Sequence, residues 1–314
     1  RKNKHKGCDS MIYTCTLNPS IDYIMSVEEF KSGALNRAQQ TFYYPGGKGI
    51  NVSRVMSRLG VDTAALGFIG GFTGEFVKSF LSEENVRHQF IDSGQNTRVN
   101  VKLKSSDETE INGPGPNLTE DHQQSLLEQI GSLNEEDTLV LAGSVPSSLP
   151  PNFYNTIADI CHKNGTKFVA DTSGEALKQL IGHPLFFLKP NHYELGDLFS
   201  TTIDSKEKAA QYGRKLVDEG VQHVIISMGG DGAVYVGKKE NLFANVPKGT
   251  VKNSVGAGDS VVSGFVAALT KGATVKDAFR YGVAAGSATA FNDDLCESQD
   301  VDHLLDQITI SSIE

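Results

Sequence analysis

The stretch TLVLAGS, residues 138–144, is an apolar run that ends in a glycine and a serine. After it, the chain alternates between segments with helical spacing of apolar residues and further short runs in which apolar residues follow one another directly. Uninterrupted runs are typical of strands buried on both faces, and strands separated by helices pair in parallel. These segments are NFYNTIADICHKN (152–164), FVADTSG (168–174), LFFLKPN (185–191), KAAQYGRKLVDEG (208–220) and VIISMGG (224–230). The pattern predicts an α/β fold: a mainly parallel central sheet between two helical layers.

Polar or glycine residues follow each of the predicted strands. They are Gly143-Ser144, Asp171-Thr172, Lys189-Pro190-Asn191 and Ser227-Met228-Gly229-Gly230. In an open parallel sheet the carboxyl ends of the strands line the ligand crevice. An ordinary turn or helix cap explains any one of these tips taken alone. The four tips together predict a shared site at one edge of the sheet.

Two segments, residues 21–45 and 97–112, do not have this pattern. In TRVNVKLK (97–104), valines and a leucine alternate with polar residues, as in a strand with one dry and one wet face. We therefore expect these segments to form antiparallel strands of a small lid, apart from the main core. A lid of a few strands is marginal by itself and has open edges, so we expect a second copy of the chain to close it in a homodimer.

The stretch NSVGAGDSVVSGF, residues 253–265, places a glycine-rich turn directly before a helix. The spacing of the apolar residues that follow is that of one buried helical face: Val262, Phe265, Val266 and Leu269. Asp259 falls in the first turn, where free N–H groups and the helix dipole favour an anion. A tight turn with a favourable acid is the alternative reading, because a lone glycine motif is a weak signal.

A second glycine-rich helix start lies in YPGGKGINVSRVMSRLG, residues 44–60. Gly46, Gly47 and Gly49 precede a helix that Gly60 is placed to end, and Lys48 lies in the turn itself. The spacing is not that of a Walker P-loop, in which Lys-Ser/Thr follows a longer glycine loop. One glycine turn thus carries a lysine and the other an aspartate, as a reaction that joins two anionic ligands requires.

The charge, the apolar runs and the cysteines of the chain argue against several classes of protein. A net charge of −9 and the lack of a basic stripe argue against nucleic-acid binding. No apolar run reaches the length of about 18 residues that a membrane span needs. The cysteines lack paired spacing, which favours reduced thiols and a cytoplasmic location; they are Cys8, Cys15, Cys161 and Cys296. We expect residues 1–10 to be a disordered or artificial leader and residues 11–314 to form the functional domain.

The two glycine-rich stretches resemble the two signature motifs of the ribokinase-like carbohydrate kinases, the phosphofructokinase B family. NPSID (18–22), DTSGEAL (171–177) and KPNHYEL (189–195) resemble that family in the same order, and the match runs from about Met11 to the C-terminus. The resemblance implies a three-layer α/β/α domain with a β-sheet lid, and transfer of a phosphoryl group from ATP, with Mg²⁺, to a sugar hydroxyl. GFIGGFTG (67–74), TRVNVK (97–102) and LAGSVP (141–146) are most similar to members that phosphorylate fructose 1-phosphate at the 6-hydroxyl, with tagatose-6-phosphate kinases close behind.

The resemblance also implies roles for individual residues. Asp259 corresponds to the catalytic base. The anion hole corresponds to the amides of Gly256, Ala257 and Gly258. The sugar site corresponds to Asp22, Gly46, Gly47 and Asn51, and the site for the phosphate that the substrate already carries corresponds to Arg37, Lys48, Arg98 and Ser144. The nucleotide site corresponds to Lys189, Asn191, Ser227, Gly229, Gly230 and Gly232, and the Mg²⁺ site, filled largely through water, to Asn191 and Glu194.

Several alternatives stay open at the level of sequence. Tagatose 6-phosphate and fructose 6-phosphate also carry one phosphate far from the reacting hydroxyl, so the same basic residues suit them. A sensor on the same fold would bind a sugar phosphate without catalysis, although it has no need of Asp259. Lys48 and Arg98 are surface charges in the plainest reading, and Glu194 is an acid favoured by a helix start.

Overall fold

The structure is a computed structural model that describes residues 10–313, so the expected leader at residues 1–10 lies outside the described residues except for Ser10. The strands are β1 (Ile12–Thr16), β2 (Ser20–Ser26), β3 (Gln40–Gly46), β4 (Thr63–Ile69), β5 (Arg87–His88), β6 (Ile91–Asp92), β7 (Arg98–Lys104), β8 (Glu108–Asn112), β9 (Thr138–Ala142), β10 (Lys167–Asp171), β11 (Phe187–Leu188), β12 (His223–Ser227), β13 (Ala233–Gly237), β14 (Asn241–Ala244) and β15 (Ile310–Ser312). The helices are α1 (Lys48–Arg58), α2 (Gly71–Glu83), α3 (Glu120–Gly131), α4 (Phe153–Asn164), α5 (Gly174–Leu180), α6 (His192–Phe199), α7 (Lys206–Asp218), α8 (Ala257–Thr270), α9 (Val275–Phe291) and α10 (Ser298–Leu304).

The central sheet has 11 strands, and its main path runs β15-β14-β13-β12-β11-β10-β9-β1-β4-β5, with β6 also pairing with β4. From β5 to β12 neighbouring strands are parallel, which confirms the mainly parallel sheet predicted from residues 138–230. The last three strands, β13 to β15, add to this edge in antiparallel order. An antiparallel hairpin needs no crossover helix, which is why β12, β13 and β14 follow one another without an α-helix between them, whereas α8 to α10 precede β15.

Helices cover both faces of the central sheet, as the predicted three-layer fold requires. Successive residues of one strand face opposite layers: Leu139 and Leu141 pack in one core, whereas Val140 packs in the other. The first core includes buried residues of α3 to α7, and the second includes residues of α1, α8, α9 and α10. The sheet is therefore packed on both faces, which fixes the positions of its strand ends.

A separate sheet of four strands, in the order β3-β2-β7-β8, is built from the two segments with alternating residues. The prediction that its strands are all antiparallel is wrong, because β2 and β7 pair in parallel. Both strands start just beyond the carboxyl-end edge of the central sheet, β2 after β1 and β7 after β6, so they enter the small sheet in the same direction. The two outer pairs, β2 with β3 and β7 with β8, are antiparallel as expected.

The polar face of the small sheet is the buried one. Asn100 and Lys102 on β7 are buried and face a cavity, while the apolar Val99 between Arg98 and Asn100 is exposed. Tyr43 and Ile111 are 50% and 62% exposed, and both belong to the row of cross-strand neighbours on the apolar face, away from the cavity. In the single chain the exposure of the two faces is therefore the reverse of what the alternation predicts.

Among the described residues, no helix combines the length and the apolar character needed to cross a bilayer. Cys15, Cys161 and Cys296 are buried free thiols, whereas Cys8 lies outside the described residues. Burial raises the pKa of the Cys15 and Cys161 thiols well above their usual range. They are therefore unreactive packing residues at neutral pH.

Candidate active site

A cavity of about 570 Å³ lies between the carboxyl ends of the central strands and the small sheet. This volume is in the usual range for small-molecule sites. The strand tips contribute Thr16, Ala142, Gly143, Ser144, Thr172, Ser173, Lys189, Asn191 and Ser227 to its wall. The small sheet contributes Ser20, Asp22, Arg98, Asn100 and Lys102, and the two glycine turns contribute Gly47, Lys48, Asn51, Ser254, Val255, Gly256, Gly258 and Asp259. The predicted edge of the sheet and both glycine turns thus meet in one place.

Asp259 lies in the first turn of α8, deep in this cavity and 5% exposed. Its Oδ2 accepts a hydrogen bond of 2.9 Å from Nδ2 of Asn51, which is on α1. Gly256, the N-cap of α8, has φ +79°, a left-handed conformation that favours glycine. One side-chain hydrogen bond thus joins the two glycine turns. Within the turn of α8, the N–H of Ala257 donates to the carbonyl oxygen of Ser254 at 3.2 Å.

The environment of Asp259 makes it a weaker acid than an ordinary aspartate. Burial is the main cause, and the nearby charge of Asp171 adds to it, so the pKa rises to about 6. The charges of Lys48 and Lys189 and the hydrogen bond from Asn51 oppose this rise. A carboxylate with this pKa is ionised at neutral pH and still basic enough to accept a proton.

Asp171, at the end of β10, lies behind the wall of the cavity and pairs with two lysines that line it. It is fully buried, and its Oδ1 lies 3.4 Å from Nζ of Lys48 and 3.7 Å from Nζ of Lys189. Its Oδ2 has no hydrogen-bond partner. A Cβ placed on Gly258 would lie 3.1 Å from Nζ of Lys189, so this ammonium group stands directly beside the glycine turn of α8. Asp171 therefore holds two cations where anionic ligands would meet.

Asp22 is fixed by its neighbours in the small sheet. Its Oδ1 accepts hydrogen bonds from Oγ of Ser20 at 2.9 Å and from Nδ2 of Asn100 at 3.2 Å. A Cβ on Gly46 would lie 2.5 Å from this same oxygen, so glycine at position 46 leaves the room that the carboxylate occupies. Asp22 thus presents an oriented acceptor to the cavity, as a group that binds sugar hydroxyls must.

Arg98 is half-buried and partly committed to the backbone. Its guanidinium donates to the carbonyl oxygens of Asn18, Pro19 and Gly113, at 2.9, 3.4 and 3.2 Å. A guanidinium has five N–H donors, so two remain for a ligand. Burial lowers the pKa of Arg98 somewhat, yet the group stays charged at neutral pH. Ser144 faces the same part of the cavity, and its Oγ accepts a hydrogen bond from Nδ2 of Asn18.

Asn191 and Glu194 form a reciprocal capping box at the start of α6. The side chain of Asn191 accepts from the N–H of Glu194, and the Glu194 carboxylate accepts from the N–H of Asn191, both at 2.8 Å. Both residues line the cavity, and Asn191 pairs with Ser227 through an isolated parallel bridge. The helix cap alone explains why these two side chains lie together. Each of them still has atoms free to bind a ligand or an ion.

Six of the residues assigned to the site by resemblance do not line the cavity: Arg37, Gly46, Ala257, Gly229, Gly230 and Gly232. Gly46 and Ala257 are next to lining residues. Arg37 is exposed on the long connection between β2 and β3. Gly229 and Gly230 are exposed in a 3₁₀ turn after β12. Gly232 has φ +101°, and the carbonyl oxygen of Ala244 packs against it. The conformation of Gly232 is therefore accounted for by the fold.

Sequence reasoning gave no role to several residues of the cavity region, of which three carry charges or amides near the proposed ligands. Asp171 appeared only as a strand tip, and neither Asn100 nor Lys102 was assigned a role. A signal for the last two was present, because Arg98, Asn100 and Lys102 alternate and so share one face of β7. The apolar residues between them were taken as the buried face, which hid this signal.

Residues 15–300 match the sequence profile of the pfkB family of carbohydrate kinases. The chain belongs to the pfkB family. It is 52% identical over 303 residues to the 1-phosphofructokinase of Bacillus subtilis (strain 168), covering 96% of this chain and 100% of that one. It is 45% identical to the 1-phosphofructokinase of Borreliella burgdorferi, covering 96% of this chain and 99% of that one. It is 35% identical to the D-tagatose-1-phosphate kinase of Bacillus licheniformis, covering 96% and 100%.

Solved structures named as phosphofructokinases have the same fold. A putative phosphofructokinase from Staphylococcus aureus superposes with a TM-score of 0.88 at 46% identity, covering 97% of this chain and 99% of that one. The tetrameric inhibited form of phosphofructokinase-2 from Escherichia coli superposes with a TM-score of 0.88 at 30% identity, covering 95% and 98%. The predicted fold class and family resemblance are confirmed by these matches.

Proposed function

We propose that this pfkB-family kinase transfers the γ-phosphoryl group of ATP to the 6-hydroxyl of fructose 1-phosphate, giving fructose 1,6-bisphosphate and ADP. The observation that carries the chemistry is the buried carboxylate of Asp259 at the N-terminus of α8, held by Asn51. The relatives named 1-phosphofructokinase, at 52% and 45% identity over nearly the whole chain, support the choice of sugar.

Phosphoryl transfer needs the acceptor oxygen placed in line, the charge on the transferred group stabilised and a base for the hydroxyl proton. In our proposal Asp259 accepts that proton as the new bond forms. The amides of Gly256, Ala257 and Gly258 stabilise the oxygens of the transferred group. Lys189, whose ammonium stands beside this turn, adds a positive charge at the same place.

The sugar phosphate is held on the other side of the cavity. We assign its ring hydroxyls to Asp22 and Asn51, with Gly46 and Gly47 leaving room for them. We assign its phosphate to Lys48, Arg98 and Ser144. The charge of Asp171, above all, raises the pKa of Lys48, so this lysine is a cation at neutral pH. A guanidinium with two spare N–H groups fits a phosphate better than a hydroxyl.

ATP and Mg²⁺ are part of the proposal. Lys189, Asn191 and Ser227 line the cavity and are assigned to the nucleotide, and Gly229, Gly230 and Gly232 to its outer side. The Glu194 carboxylate lines the cavity and offers oxygen ligands, which suit Mg²⁺. No group of three His, Cys, Asp or Glu side chains within residues 10–313 forms a metal cage, which fits an ion held mainly by water and phosphates through Asn191 and Glu194. Such an ion would neutralise charge on the transferred phosphoryl group.

A second candidate function is phosphorylation of a tagatose phosphate, which the relative from Bacillus licheniformis at 35% identity favours. Fructose and tagatose differ only in the configuration at C4, so the phosphate site does not separate them. Non-catalytic sensing is disfavoured because a sensor has no use for a buried base beside an anion hole.

The test is a panel of kcat/KM values for fructose 1-phosphate, fructose 6-phosphate, tagatose 1-phosphate, tagatose 6-phosphate, free fructose and free ribose. We expect fructose 1-phosphate to give the highest value. Arg98→Ala should raise KM for the phosphorylated sugars strongly and for free sugars little, and Arg98→Lys should recover only part of the loss. Arg87→Ala removes an exposed arginine far from the cavity and is the matched control. Free sugars that outcompete the phosphates would overturn the proposal.

We also propose that two chains pair through the apolar face of the small sheet. Tyr43 and Ile111 are exposed on it, and Tyr23 stacks on Tyr43 at 4.3 Å, so a partner would bury an already ordered apolar surface. Arg37 lies on the connection that leaves this sheet, and we assign it to the substrate phosphate only in the paired form. Ile111→Asp should give a monomer in sedimentation, whereas a dimer unchanged by it would reject this face.

Free, buried thiols are consistent with a reducing compartment, and we propose that the enzyme works in the cytoplasm.

A further inference from the structure

Lys102, on β7, is a buried cation in the wall of the cavity, and the roles assigned above leave it without one. It is 7% exposed. Its Nζ lies 3.5 Å from Oδ2 of Asp22 and 3.7 Å from Oε1 of Glu110. Both distances exceed the 2.7–2.9 Å that is usual for a charge-assisted hydrogen bond, about 0.6 Å or more in each case. The ammonium group is therefore near two carboxylates without being tightly bound by either.

A buried ammonium group is costly unless its charge and its three N–H donors are satisfied. Two long ion pairs meet the charge requirement better than the hydrogen-bonding requirement. Lys102 faces the cavity, so a ligand oxygen there is the group that can complete its bonding. Lys104, two residues further along the same strand, is less buried and lies outside this wall.

The position of Lys102 along β7 separates it from the phosphate. Four residues of extended strand span about 13 Å, so Lys102 stands well away from Arg98, to which the phosphate is assigned. It stands instead beside Asp22, to which the sugar ring is assigned. A ligand oxygen next to Lys102 would therefore belong to the sugar ring and not to the phosphate.

We propose that Lys102 binds the sugar ring: its ammonium group donates to the oxygen of a ring hydroxyl whose proton Asp22 accepts. The pair then binds one side of the ring with a donor and an acceptor, and Glu110 places a second carboxylate near the ammonium group. This inference rests on the proposed function, since it takes a sugar phosphate as the ligand. It adds a contact that selects the ring, beside the contacts that select the phosphate.

A merely structural role is the competing account: Lys102 would only compensate the charges of Asp22 and Glu110. The two accounts differ in a charge-balanced double variant, Lys102→Met with Glu110→Gln. If Lys102 only compensates charge, removing one positive and one negative group restores binding. If Lys102 donates to the sugar, binding stays weak in the double variant as in Lys102→Met alone.

The experiment measures the affinity for fructose 1-phosphate by calorimetry, and KM and kcat by assay. We expect Lys102→Met to weaken binding and raise KM about tenfold to a hundredfold, the effect of one lost charge-assisted hydrogen bond, with kcat and the KM for ATP changed much less. Lys102→Arg should retain part of the affinity. Lys104→Met, which removes the same charge outside the cavity wall, should change affinity less than about twofold. Melting temperatures check that each variant is folded.

Wild-type affinity in the double variant, or equal effects of Lys102→Met and Lys104→Met, would overturn the inference. The same titrations on the wild type include fructose 6-phosphate and tagatose 1-phosphate. If one of these binds and reacts best, the proposed function fails, and Lys102 is then judged on that ligand by the same comparison. The two failures are thereby kept apart.

Discussion

Asp259 has the two properties that a base for a sugar hydroxyl needs, a fixed position and a raised pKa. Asn51 fixes the position, and burial raises the pKa to about 6. Asp259→Asn keeps the size of the side chain and removes its basicity. We expect kcat to fall by about 10² to 10⁴, the usual effect of removing a general base, while both substrates still bind. Steady-state assays and calorimetry measure the two quantities, and unchanged turnover would remove Asp259 from the mechanism.

The raised pKa of Asp259 also predicts a pH profile. The proposed base must be ionised to accept a proton, so activity should be constant above the pKa and fall about tenfold per pH unit below it. The acidic limb of kcat/KM should therefore have a midpoint near pH 6. Asp171→Asn removes a like charge that raises this pKa, so it should move the midpoint to lower pH, whatever it does to the maximal rate. A midpoint near pH 4 in the wild type would contradict the assignment.

Single residues of the site were predicted where their function depends on local sequence. Asp259 and Gly256 belong to one helix start. The glycine-rich turn and the helical spacing of the apolar residues after it predict that start without further information. Asp171 and Lys102 were not predicted, because what gives them meaning is contact with residues far along the chain. The partners of Asp171 are Lys48, 123 residues away, and Lys189. No spacing rule reports such a contact.

At the level of elements, a buried ion network joins α1 and α2 to the loop that follows α9. Arg54, 1% exposed, donates to Glu84 at 2.8 and 3.0 Å and to Asp294 at 2.8 Å. Arg58 donates to the same two carboxylates. Leu295 follows directly, and a Cβ on Gly256 would lie 2.5 Å from its Cδ2. The network thus holds the side chain that packs against the turn of the proposed anion hole.

This packing predicts different effects for two adjacent aspartates. Asp294→Asn should lower the free energy of unfolding by about 2 kcal/mol, since it leaves buried arginines less well paired. It should also lower kcat several-fold with little change in KM for the sugar, because the turn at Gly256 loses its support. Asp293→Asn is the matched control, since the Asp293 side chain is 90% exposed. Urea titrations and steady-state kinetics measure both, and equal effects of the two variants would contradict this account.

The pairing of the small sheet could not be read from the same sequence. Alternation in residues 97–104 predicts a strand with two unlike faces, and β7 is such a strand. Alternation does not say which face is covered, or whether a neighbour runs in the same direction. Both depend on where β2 and β7 leave the central sheet, and the parallel pair β2–β7 follows from that. A dimer through the apolar face would bury that face, and the buried face would then be the one that the alternation predicts.

At the scale of the whole molecule, the apolar runs from residue 138 onward predicted the sheet because each run is bounded by a helix. The run AVYVG (233–237) has the same composition, yet it forms the antiparallel β13. What differs is the connection: the segment 228–232, with a single 3₁₀ turn at Gly229–Asp231, stands in place of an α-helix. Strand direction thus depends on the connections, whereas strand existence depends on the runs themselves.

The opposite end of the central sheet from the cavity contains a buried histidine. His223 starts β12, is 8% exposed, and is packed edge-on against the rings of Phe186 and Phe265. Its Nδ1 lies 2.8 Å from the hydroxyl of Tyr235. Burial lowers the pKa of His223 to about 4, so the folded protein keeps this ring neutral through most of the acidic range.

The shift predicts that stability falls in mild acid. Between the ordinary pKa of about 6.5 and the folded value of about 4, the unfolded chain binds a proton at this residue and the folded chain does not. The free energy of unfolding therefore loses about 3 kcal/mol from His223 as the pH falls from 7 to 4, at 1.36 kcal/mol per unit of pKa difference. In His223→Gln the side chain stays neutral at every pH and an amide can still meet the hydroxyl of Tyr235. Urea titrations at several pH values should give a shallower decline for the variant than for the wild type, and parallel declines would show that this histidine does not titrate on unfolding.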